Sequence, residues 1–186
     1  VSPTVFILLG LSFCLNSTAD VPSAGPLEEK AVKGFLDRPT QQTFLAISRK
    51  NDAIVRKEMT TDGPGLDRLC DHVSKGNPWA IRYLLQNLHA CDGAALESAL
   101  IALGQLGDRD PEQLLNLVRQ RMMTSKDLTD AVGTRPITFV DNDLGTIRFF
   151  EARQKKLERV SRTDLLTLKA QALQGVANAL KEFRSH

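Results

Sequence analysis

Aromatic side chains are scarce in this chain: eight Phe, one Trp and one Tyr, 5% of 186 residues. So few rings leave little material for the stacking platforms on which single-stranded nucleic acids are held. An excess of one charge is also missing, because 24 Lys and Arg are set against 22 Asp and Glu for a formal net charge of +2. Duplex binding depends on a strongly basic face, so nucleic acid is not an expected partner. No apolar run reaches the ~20 residues that a membrane-spanning helix needs, which argues against a transmembrane span. Nucleophile elbows, zinc-binding helices, phosphate loops and dinucleotide fingerprints are all absent, and the glycines are dispersed at the ends of predicted elements. His72, His89 and His186 are the only imidazoles, and neither internal one stands with a Ser or carboxylate in a recognisable catalytic order. Glu28 and Glu29 pair two carboxylates, but at an N-terminal helix position where negative charge simply favours the helix dipole. The expectation is a protein that is not an enzyme, without cofactor or bound metal.

What is present is an ordinary globular composition, 42% hydrophobic and 25% charged, enough for one domain with a real core. The first residues differ from the rest. VFILLGLSFCL (5–15) is an uncharged apolar run followed by NSTA, with small side chains at Ser17 and Ala19. That pattern is the apolar region and cleavage site of a secretory signal peptide, cut after Ala19, and it places the mature chain in a periplasm or outside the cell. No Lys or Arg precedes the run. A buried N-terminal helix is the alternative, and a lipid anchor at Cys14 is disfavoured by the bulky Phe13 beside it. The expected organisation is a signal peptide at 1–19, a flexible leader DVPSAGP at 20–26, and a single helical domain over 27–186.

With the leader removed, Cys70 and Cys91 remain, and an even cysteine count in an exported chain makes them a disulfide candidate. Unbonded thiols are the alternative. The mirrored CDH (70–72) and HAC (89–91) suggest a metal site at first sight. On a helix, however, residues two apart point in nearly opposite directions, so Cys70 and His72 do not converge on one ion.

Helical signals run through the rest. LEEKAVKGFLD (27–37) ends before Pro39, and TQQTFLAISRKNDAIVRKEM (40–59) has Thr40 as its cap. LDRLCDHVSK (66–75) is closed by Gly76, after which Asn77 caps a helix with Pro78 at its first position and Ile81, Leu84, Leu85 and Leu88 on one face. AALESALIALGQLG (94–107) is followed by Asp110 and Pro111, the same cap and proline, at residue 110 against residue 77, an offset of 33. Periods of this size are those of stacked helical pairs. Ala94, Ala95, Ala99, Ala102 and Gly104 read as a close-packed helix face. The acidic Asp108 and Asp110 read as a helix end and a cap, not a calcium site.

Residues 77–120, above all ALESALIALGQLGDRDPEQLLNLV, resemble a HEAT-like repeat, in which a helix ending A-L-x-x-L-G-x-L-G-D leads through an acidic turn and proline into the next helix. The usual basic residue of the second helix is missing, and no third copy is evident. The resemblance implies an all-α fold of stacked helical hairpins and a surface that binds a protein partner.

From 124, TSKDLTDAVG reads as a helix capped by Ser125, and 136–148 as an irregular or β-hairpin segment, with a β-prone ITFV and the turn DNDLG. DNDLG lacks the ligand spacing of a calcium loop. EARQKKLERVSR (151–162) and TDLLTLKAQALQGVANALKEF (163–183) are the last predicted helices. Arg148, Arg153, Lys155, Lys156 and Arg159 form a candidate partner-binding set, suited to an acidic protein face. The functional expectation is an exported, non-catalytic interaction module. The alternatives are an immunity or inhibitor protein against an envelope-acting toxin, a scaffold in an envelope complex, and an envelope hydrolase with an unrecognised site.

Overall fold

A computed structural model describes residues 26–47, 65–91, 93–139 and 142–184. The predicted signal peptide, Cys14 and residues 48–59 of the helix expected at 40–59 lie outside the described residues. Nine α-helices are present among the described residues: α1 (Pro26–Asp37), α2 (Gln41–Ala46), α3 (Leu66–Ser74), α4 (Pro78–Asn87), α5 (Gly93–Arg109), α6 (Pro111–Arg119), α7 (Ser125–Gly133), α8 (Asp143–Glu158) and α9 (Leu166–Arg184). Short 3-10 turns at Leu88–Ala90, Ile137–Phe139 and Thr163–Leu165 join some of them, and no strand occurs among the described residues. None of these helices is long and apolar enough to cross a membrane.

The helix boundaries follow from side-chain chemistry. Thr40 and Thr43 form a reciprocal capping box at the start of α2, Asn77 accepts from the amides of Trp79 and Ala80 at α4, and Asp110 accepts from Gln113 at α6. Each satisfies amides that have no partner inside the helix. Thr124, one residue before the predicted Ser125, caps α7 through a capping box with Asp127. Gly76 terminates α3 with φ +82, a left-handed conformation that glycine adopts without steric penalty.

Alternate helices touch in succession: α1 on α3, α3 on α5, α5 on α7 and α7 on α9. Their shared face is aliphatic and small, with Leu69 and Val73 of α3, Ala95, Ala99, Leu103 and Leu106 of α5, Leu128 and Ala131 of α7, and Ala172 and Val176 of α9 all buried. Each buried leucine contributes about 1.5–3 kcal/mol relative to leaving it exposed. Of the small residues predicted to line α5, Ala94 alone is exposed. Gly104 and Gly175 are needed for close approach: a Cβ at Gly104 would sit 2.5 Å from the Ala131 carbonyl, and one at Gly175 would sit 2.9 Å from Val132. All eight described aromatic side chains gather at the two ends of this row. Phe35, Phe44, Trp79 and Tyr83 meet near α1 and α4. Phe139, Phe149, Phe150 and Phe183 meet near α8 and α9.

The segment expected to hold an irregular or β-hairpin stretch at 136–148 is instead a 3-10 turn and the first turns of α8. Asn142 caps α8 by accepting from the Gly145 amide at 2.8 Å. Thr146, fully buried, donates its hydroxyl to the Phe139 carbonyl at 3.1 Å, and the rings of Phe139 and Phe149 lie 5.4 Å apart. Those contacts outweigh the β-propensity of ITFV, as tertiary packing commonly does. α8 therefore begins at Asp143, eight positions before the predicted Glu151.

Candidate functional site

α8 presents two faces of different chemistry. Arg148, Lys155, Lys156 and Arg159 are exposed; the spacing of seven and then four places Arg148, Lys155 and Arg159 along one line of the helix, with Lys156 beside them. None of the four meets a carboxylate among the described residues. Several other surface cations are paired, Lys33 with Glu29, Lys75 with Asp71, Lys126 with Asp130 and Arg184 with Glu151. Arg162 donates to Asp164 and holds that carboxyl below its ordinary range, with Arg119 adding to the effect. A cleft of about 450 Å3 between α8 and α9, bordered by Gln154, Lys181 and Arg184, adds a further exposed cation in Lys181.

Arg153, the fifth residue of the predicted set, does not belong to that face. It is 2% exposed and points into the protein. Its Nε and Nη2 donate to the two Asp108 carboxylate oxygens at 2.9 and 2.7 Å. Its Nη1 donates to the carbonyls of Val132, Thr134 and Ala131 at 2.8, 3.1 and 3.3 Å. Those carbonyls end α7, where no amide of the helix remains to satisfy them. The guanidinium also lies 4.5 Å from the centroid of Phe149, close enough for a cation–π contribution. One side chain thus ties α5, α7 and α8 together, and Gly104 supplies the space, since a Cβ there would lie 2.9 Å from Nη2. Asp108, read from sequence as a helix end, is the counter-charge. With its donors used internally, Arg153 is a structural residue, and a buried, saturated guanidinium has nothing to offer a partner.

The disulfide candidate is also corrected. Cys70 and Cys91 are not joined and are not at bonding distance. Cys70 lies on the α3 face turned to α5, where its thiol donates to the Ser98 carbonyl at 3.6 Å. Cys91 follows the 3-10 turn after α4 and donates to the Asn87 carbonyl at 3.9 Å. Burial pushes the Cys70 thiol up to about 12, with Asp67 and Cys91 adding smaller effects. No group of three or more His, Cys, Asp or Glu is placed to hold a metal among the described residues.

A second concave feature lies between α4 and α6. α3 and α5 pack closely, whereas α4 and α6 make little contact; a cavity of about 400 Å3 lies between them, and adjoining cavities of about 490 and 460 Å3 lie between α4 and the turn that follows α6, the last reaching Leu96 of α5 and Asp127 of α7. Met122 lines all three, and Leu85, Gln120 and Arg121 each line two. Sequence reasoning missed this groove, because the apolar stripe Ile81, Leu84, Leu85 and Leu88 was read as core; Ile81 and Leu84 are buried, but Leu85 and Leu88 are only half covered. The chain matches no protein-family model, no curated protein and no solved structure.

Proposed function

We propose that this chain is an exported, non-enzymatic protein-interaction module built of HEAT-like stacked hairpins, and that the exposed face of α8 receives an acidic face of a partner protein. The observation that carries the reading is the set Arg148, Lys155, Lys156 and Arg159, four cations on one helix without a counter-charge among the described residues. Like charges held on one helix face repel one another, and a partner that brings carboxylates relieves the repulsion while steering the encounter. The stacking is supported by the two hairpins α3–α4 and α5–α6, whose second helices begin with the same Asx-Pro cap and whose first helices pack together. The export reading rests on the apolar run and small residues of 5–19.

The test is capture of partners from an envelope extract by the wild-type protein and by a Lys155→Glu/Arg159→Glu variant. The expected result is a stoichiometric partner retained by the wild type, reduced by the charge reversal, and released in 1 M salt, where the screening length falls to about 3 Å. An unchanged set of bound proteins on the variant overturns the reading.

A further inference from the structure

The exposed side of α8 is ordered in more than its charge. Leu144, Arg148, Ala152, Lys155 and Arg159 are all exposed. Their spacing of four, four, three and four keeps them on one line, opposite the buried stripe Thr146, Phe150, Arg153 and Leu157. A line of that spacing is the seam along which one helix lies against another at a shallow angle. Ala152, small and in the middle of it, leaves room for a second backbone to come close. At about 1.5 Å per residue the line from Leu144 to Arg159 is about 22 Å long. Its two ends differ: the cations fill the C-terminal part, whereas Leu144 at the other end is 71% exposed, and Ile137, on the turn that packs against α8, is 67% exposed.

The carboxylates of the same helix stand off this line. Glu151 is held by Arg184 of α9 at 2.7 Å, and Glu158 accepts from Gln154, beside the cleft between α8 and α9, at 2.8 Å. Both therefore lie on the α9 flank, where Lys181 and Arg184 add positive charge and Glu182 adds negative. Asp143 lies in the first turn, about 100° round the helix from Leu144. On the α5 side, Asp108 is engaged by Arg153. With all of these carboxylates counted, cations remain in excess, and the excess is concentrated on the seam. A broad anionic surface such as a membrane would press on the flank carboxylates together with the cations. A rod one helix wide meets the cations and leaves the flank to solvent.

We infer that this seam docks a single acidic helix of a partner protein, its carboxylates on Arg148, Lys155, Lys156 and Arg159 and an apolar residue at one end on Leu144. This docking rests on the reading of α8 as the partner-binding face and adds the form of the partner: a helix of about 15 residues with acids three and four apart. The apolar end fixes the direction in which that helix lies, because reversal sets a carboxylate on Leu144 and an apolar side chain on Arg159.

The test uses the full chain and a fluorescein-labelled designed helical peptide with glutamates at the spacing of the seam and leucine at one end, read by fluorescence anisotropy. Its controls are a scrambled peptide of the same composition, a peptide with serine for the leucine, and one with lysines for the glutamates. Micromolar binding of the first is expected. Losses of about tenfold or more are expected for the scrambled and lysine peptides and for Lys155→Glu/Arg159→Glu, since a charge-assisted contact is worth about a factor of ten. Leu144→Ser, at an exposed position and with unchanged circular dichroism, is expected to weaken the leucine peptide about fivefold and the serine peptide not at all. Lys30→Glu/Lys75→Glu, an equal charge change away from α8, must leave binding unchanged. Equal binding of the scrambled peptide, or indifference to Leu144→Ser, overturns the single-helix docking while α8 remains an acid-binding face. Failure of the acidic peptide to bind overturns it too. Vesicles of phosphatidylglycerol and phosphatidylethanolamine held through Lys155 and Arg159 then identify a membrane as the occupant, and loss of the charge dependence in the envelope capture shows that the α8 reading has fallen with it.

Discussion

A single buried arginine shows how much one side chain can hold. Arg153 satisfies the two oxygens of Asp108 and the last carbonyls of α7, so its removal strands a carboxylate that is itself only 17% exposed. Arg153→Met is therefore expected to destabilise the fold by about 3–5 kcal/mol, the usual effect of breaking a buried pair from one side, as measured by urea unfolding. Arg153→Lys should rescue little, because an ammonium does not reproduce the planar fork that meets Asp108 and the carbonyls together. Cys70 supplies the pH-dependent prediction. Burial raises its thiol from about 9 to about 12 in the folded state, so the unfolded chain releases that proton first as pH rises. The contribution is intact below about pH 9 and is lost as pH climbs toward the folded value, making stability fall across that range; Cys70→Ala should flatten this alkaline limb. At pH 8 iodoacetamide should label Cys70 slowly in the native protein and rapidly in urea, since the thiolate is the reactive form.

At the scale of the helices, the placement of glycine separates contact from propensity. Gly104 lies inside α5 with the Ala131 carbonyl and the Arg153 guanidinium against it, whereas a Cβ at Gly34, exposed on α1, would meet nothing within 4 Å. Gly104→Ala should lower stability by about 1–3 kcal/mol through overpacking, and Gly34→Ala should raise it by about 0.5–1 kcal/mol through helix propensity alone; paired thermal melts decide both signs. Much of this layer was legible in the sequence. Asn77–Pro78 and Asp110–Pro111 announced two helix starts because capping is local chemistry, and Gly76 announced a helix end for the same reason. Arg153 was misread because the helix was begun at Glu151. Extended back to Asp143, the buried positions Thr146, Phe150, Arg153 and Leu157 form one stripe at spacings of four, three and four, and the arginine falls in its middle. Nothing local marks Asp108 as its partner, since the two are 45 positions apart and meet only through packing.

For the molecule as a whole, the row of alternate helices buries small aliphatic side chains through its middle and leaves two distinct surface features elsewhere, the cationic side of α8 and the concave region beside α4 and α6. Neither was fully visible beforehand. The four exposed cations could be named from sequence, but which of five faced outward depended on the whole helix; the concave region depended on α4 and α6 diverging, a property of packing that no single segment encodes. The separation of the aromatic clusters has an experimental consequence. Trp79 is the only indole in the chain and sits with Phe44, at 5.3 Å between ring centroids, at the α1–α4 end, far along the row from the Arg153 node. Its emission is thus a local optical gauge of that end, while far-ultraviolet dichroism averages every helix. If the row melts as one cooperative unit the two signals will superimpose; we expect the emission change to come first in urea, because the α1–α4 end lacks the tie that Arg153 provides to α5, α7 and α8.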